Sequence, residues 1–172
     1  MAFINFYGGT GNVTGANFLL DLPKAKILVD CGLIQGDRFA SAKNCEVFPY
    51  DVTAVDALFV THAHADHIGR IPKLLRDGFQ GVIYSTPPTR DLAIVMLRDA
   101  YKIMAYESER YGTPRCYEEQ DITAALACWK THPYHTPITL PDAVTATFTD
   151  AGHILGSAMV TLEREGKKFL FT

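Results

Sequence analysis

No run of this sequence stays apolar for the roughly 20 residues a bilayer-spanning helix needs; "ALFV" (57–60) is typical of its short apolar stretches. The opening "MAFINFYGG" lacks the basic start and long apolar region of a secretory signal. Neither sign of charge is in large excess, since 16 basic against 19 acidic side chains leave a formal net charge of −3. Neutralising phosphates supplies much of the affinity of a nucleic-acid binder. The basic balance of such a binder is absent from the totals, which counts mildly against this stretch gripping RNA or DNA alone and leaves room for a local patch. Cysteine is scarce, and Cys31, Cys45, Cys116 and Cys128 form no Cys-x-x-Cys pair. That pattern reads as reduced thiols in a cytoplasmic protein, each a small buried hydrophobe, rather than a disulfide framework. Internal repeats, low-complexity tracts and linkers are also missing. What remains is ordinary for a folded globular chain, with 48% hydrophobic and 20% charged residues. At 172 residues it is long enough for one domain with a sizeable core.

"FINFYG" (3–8) reads as a first strand ending in glycine, and "GANFLLDL" (15–22) with "KILVDCG" (26–32) as a hairpin turning at Pro23-Lys24-Ala25. Residues 33–54 are irregular and read as a loop with room for a short helix. "AVDALFV" (54–60) is continuous and apolar, the pattern of a strand covered on both faces. Ile68, Ile71, Leu74 and Leu75 then fall at helical spacing, with Pro72 marking a start or bend and Gly78 a stop. "GVIYST" (81–86) reads as a strand, and 88–112 as the longest helix. Leu92, Val95, Met96, Ala100 and Ile103 form that helix's expected core stripe. A further helix is expected over 117–130, with acidic residues in its first turn. From 137 onward the pattern is β again, and Glu165-Gly166 predicts a hairpin turn. The sum is an α/β chain with a mixed β-sheet and helices packed on it.

"THAHADHIGR" (61–70) places three histidines and an aspartate within six positions, directly after the buried strand. A metal site needs neutral imidazoles and ionised carboxylates converging from rigid backbone. In extended chain His62 and His64, two apart, point the same way. Asp66 and His67 follow where the loop becomes a helix, so they face a neighbouring position. A mixed imidazole and carboxylate set suits zinc, with manganese or iron as alternatives. A histidine-rich surface loop is the bland reading, and it explains this spacing poorly.

The His-x-His-x-Asp-His of this segment resembles the signature of the metallo-β-lactamase superfamily. "GGTGNVTGANFLLDL" (8–22), "ILVDCGLIQG" (27–36) and "DAGHILGSAMV" (150–160) resemble its β-CASP branch of RNA-processing nucleases, which includes ribonuclease J and the endonuclease of the pre-mRNA cleavage complex. The resemblance runs through essentially the whole chain. It implies that His62, His64 and His153 bind one metal, and that Asp66 and His67 bind another. Asp30 would act on a histidine ligand, holding its tautomer and orientation. Asp66 would also orient the attacking hydroxide. Two zinc ions about 3.5–4 Å apart would share that hydroxide and brace both oxygens of the scissile phosphodiester. RNA is the implied substrate, with a cytoplasmic location and no membrane attachment.

The resemblance also implies the family's αββα sandwich, of which residues 1–172 would supply roughly the first half. The bridging aspartate, a later histidine and the inserted β-CASP domain would lie beyond Thr172. An isolated fragment of that kind would bind metal weakly, lack catalysis and expose an unfinished edge. Two readings compete. A small-molecule metallo-hydrolase of glyoxalase or lactamase type shares the histidine cluster but not the opening glycine motif or "AGHILGSA". A catalytically inactive fragment serving as an interaction piece is the other. Two further motifs are weaker. "THPYH" (131–135) holds His132 and His135 in a proline-bounded loop with no expected metal role. "GGTGNVTG" (8–15) lacks the Gly-Lys-Ser/Thr ending of a P-loop and reads as a tight turn at the rim of the site.

Overall fold

A computed structural model describes residues 2–36 and 40–172. The first three strands, β1 (Phe3–Gly8), β2 (Asn17–Leu22) and β3 (Ala25–Val29), form an antiparallel meander. β4 (Ala57–Phe59), β5 (Val82–Ser85) and β6 (Trp129–Thr131) then add in parallel, giving one six-stranded sheet in the order β1-β2-β3-β4-β5-β6. A second, antiparallel sheet is built from β7 (Ile138–Leu140), β8 (Val144–Asp150), β9 (Ala158–Arg164) and β10 (Lys167–Phe171), in the order β10-β9-β8-β7. The helices are α1 (Ala40–Cys45), α2 (Ala65–Ile68), α3 (Ile71–Arg76), α4 (Pro87–Tyr111) and α5 (Glu119–Ala127).

Strand alternation divides the core in two. Leu19, Leu28, Leu58 and Ile83 face the helices and pack with Leu74, Leu97 and Ile122. Their neighbours Leu20, Ile27, Val29 and Phe59 face the second sheet and pack with Val144, Phe148, Val160 and Leu162. Helices α3, α4 and α5, the large sheet and the second sheet thus make three layers, consistent with a partial αββα sandwich. The outward positions of β8 and β9 carry Thr145, Thr147, Thr149 and Thr161, all half-buried.

Several expectations need correction. The apolar stripe assigned to α4 is its core face only in part: Leu92 packs against the core and Ala100 is half-buried, but Val95, Met96 and Ile103 are 66%, 40% and 53% exposed, while Thr89, Ala93 and Leu97 are buried. Small Thr89 and Ala93 let the helix lie close, which turns the larger side chains about a quarter of a turn away. The helix expected to run to residue 130 ends at Ala127, and Trp129–Thr131 is a strand. Three residues are too few for periodicity to reveal. The strand expected over 54–60 is confined to Ala57–Phe59, preceded by a 3-10 turn at Val52–Ala54. The irregular stretch 33–54 contains α1, and its residues 37–39 lie outside the described residues. Finally, Cys45 and Cys116 are not free thiols but a disulfide, their Cα atoms 4.7 Å apart across a sequence separation of 71. Folding brings the end of α1 against the segment before α5, a proximity that spacing along the chain does not encode. Cys31 is a free buried thiol as expected, and Cys128 is free and half-buried.

Candidate metal centre

The cluster assembles where three strands end. β3 stops at Val29 and delivers Asp30, β4 stops at Phe59 and delivers Thr61, His62 and His64, and the β8–β9 connection delivers His153. This is the carboxyl edge of the parallel strands, the usual place for a site in an open α/β sheet. His64 is the N-cap of α2, so Asp66 lies in that helix's first turn. Backbone bonds lock the pieces together: Asp30 N–H donates to Phe59 O at 2.9 Å, Cys31 N–H to His67 O at 2.8 Å and Ala16 N–H to Asp66 O at 2.9 Å. The last of these ties the end of the opening glycine loop to the ligand helix, beside the cluster. Gly32 is required at its position because a Cβ there would sit 1.5 Å from the Asp66 carbonyl oxygen.

Three imidazole nitrogens converge. His64 Nδ1 stands 3.1 Å from His62 Nε2 and 3.2 Å from His153 Nε2. The donor atoms of all three histidines lie within 4.8 Å of one another. His67 packs against His62, ring centroids 4.0 Å apart, and its Nε2 lies 3.7 Å from Asp66 Oδ2. His132 and His135 belong to a separate loop, outside this group.

Protons on these rings are fixed from below. Asp30 is 1% exposed, and its φ of 58° is in the left-handed region that aspartate tolerates better than most residues. Its Oδ1 accepts the Thr61 N–H at 2.8 Å, and its Oδ2 accepts the Thr61 hydroxyl at 2.8 Å. The single Thr61 hydroxyl proton is thereby committed, so the 3.0 Å contact from Thr61 Oγ1 to His62 Nδ1 has the ring N–H as donor. Asp30 Oδ2 likewise takes the Nδ1 proton of His67 at 2.7 Å. In the neutral form of each ring the lone pair is then on Nε2. Burial, followed by the neighbouring histidines, pushes His62 down to about 3, which keeps it neutral. Burial also pulls His67 downward, but its bond to Asp30 and the charges of Asp30 and Asp66 outweigh that and raise it.

This donor set fits a divalent metal. Gaps of 3.1–3.2 Å between ring nitrogens suit an N–H···N hydrogen bond when a ring proton lies between them and a shared cation when the proton is displaced. The spacing is close to the tetrahedral edge of about 3.3 Å expected when nitrogens sit ~2.0–2.1 Å from zinc. His62, His64 and His153 come together as one cluster, and Asp66 and His67 lie beside it as a pair. Thr61 is the contributor that sequence reasoning passed over. The available signal was a hydroxyl immediately before the first histidine of the motif.

Comparison with known proteins agrees with this geometry. Residues 19–172 match the family described as Metallo-beta-lactamase superfamily domain. A Thermus thermophilus protein named Ribonuclease TTHA0252 is 36% identical over 166 residues, covering 96% of this chain and 36% of that protein. Transcription termination factor FttA of Methanosarcina mazei is 36% identical over 155 residues, covering 88% of this chain and 23% of its own. An RNase J-like protein of Methanocaldococcus jannaschii is 33% identical over the whole of this chain and 36% of its own. This chain therefore spans about a third or less of the length of these curated relatives. Among solved structures, a Cronobacter sakazakii metallo-beta-lactamase (HARLDQ motif mutant) superimposes with a TM-score of 0.61 at 18% identity, covering 94% of this chain and 58% of that one. The Bacillus subtilis metallo-beta-lactamase fold protein YhfI gives 0.57 at 17% identity, covering 98% and 60%. These two likenesses speak to the fold alone.

Proposed function

The chain belongs to the metallo-β-lactamase superfamily, and from that premise we propose that it forms the metal-binding part of a β-CASP-type nuclease that hydrolyses RNA phosphodiester bonds in the cytoplasm. The observation that carries the reading is the convergence of His62 Nε2, His64 Nδ1 and His153 Nε2 beside the Asp66–His67 pair. The names borne by the relatives, a ribonuclease, an RNase J-like protein and a transcription termination factor, support RNA as the substrate. No helix among the described residues is long and apolar enough to cross a membrane.

His62, His64 and His153 would hold one divalent ion, and Asp66 with His67 would help to hold a second. Zinc suits imidazole donors best, with manganese or iron as alternatives. Such a pair of ions supplies a nucleophile at neutral pH and neutralises charge that builds on the phosphate. The side chains do the remainder. Asp30 and Thr61 keep the protons of His62 and His67 on Nδ1, so that Nε2 faces the site. Asp66 offers a carboxylate oxygen to orient an attacking water by hydrogen bonding.

The test uses the full-length gene product loaded with zinc and offered labelled RNA, a thioester and a lactam. Cleavage of RNA alone, abolished in His64→Ala and Asp66→Asn, is expected. Undiminished RNA cleavage in either variant, or turnover of the thioester or lactam instead of RNA, would sink the reading.

A further inference from the structure

His153 is the outlying member of the cluster. It is exposed and sits in an irregular connection, residues 151–157, where Gly152 and Gly156 both have positive φ. Such a segment does not hold an imidazole in place by itself. Within it, Ser157 Oγ accepts the backbone N–H groups of His153 at 3.0 Å and Ile154 at 3.2 Å, closing the turn. Two distant parts of the chain then grip its carbonyls. Thr86 Oγ1 and Thr89 Oγ1, at the start of α4, donate to Gly156 O at 2.6 Å and 2.8 Å. From the other side, Tyr134 O–H donates to Ser157 O at 2.8 Å. Thr86, Thr89 and Ser157 are all buried to 1% exposure or less. Contact at Gly156 is so close that a Cβ there would meet Thr89 N at 2.7 Å. Tyr134 comes from "THPYH", whose histidines take no part in the cluster.

We propose that Thr86, Thr89 and Tyr134 are positioning residues for metal binding, whose hydroxyls clamp the 151–157 connection so that His153 Nε2 meets His64 Nδ1. The inference rests on the proposed metal reading of the cluster. A buried hydroxyl that donates to a loop carbonyl ties that loop to its own element only while the bond is made: Gly156 O takes its bonds from the two threonine hydroxyls, and Ser157 O has, beside Tyr134, the Ala151 N–H at 3.2 Å from within the same connection. Lost clamps therefore let His153 wander, and a ligand that wanders weakens a polydentate site without touching the other donors.

Zinc affinity, read by competition with a chromophoric chelator, tests this in the full-length gene product. Thr86→Val with Thr89→Val keeps the branched shape and deletes two hydroxyls, and Tyr134→Phe deletes the third. Each is expected to weaken zinc binding by about 10–100-fold, with Thr86→Ser and Thr89→Ser restoring it. In a His153→Ala background the same substitutions should cause no further loss, which a merely structural role would not produce. Should the double valine variant fail to fold, Tyr134→Phe, which removes a single oxygen, carries the test alone. Variants that bind zinc like the parent, or a loss that persists undiminished without His153, would overturn the inference while leaving the metal site intact. A parent protein that binds no zinc would overturn both.

Discussion

Asp30 Oδ2 stands 2.7 Å from His67 Nδ1, and the same oxygen accepts the Thr61 hydroxyl at 2.8 Å. One buried carboxylate thus sets the tautomers of two histidines, His67 directly and His62 through Thr61. Asp30→Asn cannot accept from all three donors, since in either amide orientation its NH2 meets a donor: the Thr61 N–H in one, the Thr61 hydroxyl and His67 ring N–H in the other. We expect that variant to fold and to lose about 10–100-fold in zinc affinity, measured by chelator competition.

Gly32→Ala should fail for a purely steric reason. The added methyl would fall 1.5 Å from the Asp66 carbonyl oxygen, so the strand end and the ligand helix must separate. Overpacking of that severity is expected to cost about 3 kcal/mol or more. Urea denaturation of the metal-free protein checks the loss, with the parent midpoint as reference.

Phe148 is fully buried between the sheets, its ring centroid 5.7 Å from that of Phe59. Phe148→Ala removes the contact that joins the two sheets at this point and should destabilise by roughly 3–5 kcal/mol. A change under about 1 kcal/mol in chemical denaturation would mean the sheets are not stacked as described.

The cysteines make a redox prediction. Alkylation under denaturing conditions without reductant should label Cys31 and Cys128 only, and reductant should expose Cys45 and Cys116 as well. Because the bridge closes a long loop, reducing it should lower stability by about 2–4 kcal/mol. In the native protein Cys31 should resist alkylation, since burial pushes its thiol from 9.0 up to about 12. A folded value above the unfolded one favours the folded state fully below pH 9, and that contribution fades as pH rises toward 12.

Features whose cause is local were legible in the sequence. The Glu165-Gly166 hairpin turn requires positive φ at both residues, 51° and 72°, and an acidic residue followed by glycine signals it. His62, His64, Asp66 and His67 were legible as a group because four ligand-type side chains in six positions rarely occur by accident. His153 was found only through the family resemblance of "AGHILGSA". Features set by distant contacts were hidden. The face of α4 that is buried depends on small Thr89 and Ala93 lying against the fold, and larger apolar residues nearby outweighed them in the pattern. The Cys45–Cys116 bridge and the grip of Thr86 on Gly156 join residues about 70 positions apart, and nothing in either segment alone announces its partner.

The most direct measurement is zinc affinity and stoichiometry for the full-length gene product beside its His64→Ala variant, because His64 Nδ1 is the atom that both other histidines approach. Zinc bound by the parent and lost in His64→Ala is the predicted result. A parent that takes up no zinc after metal loading, or a His64→Ala variant that binds as well as the parent, would contradict the account at its centre.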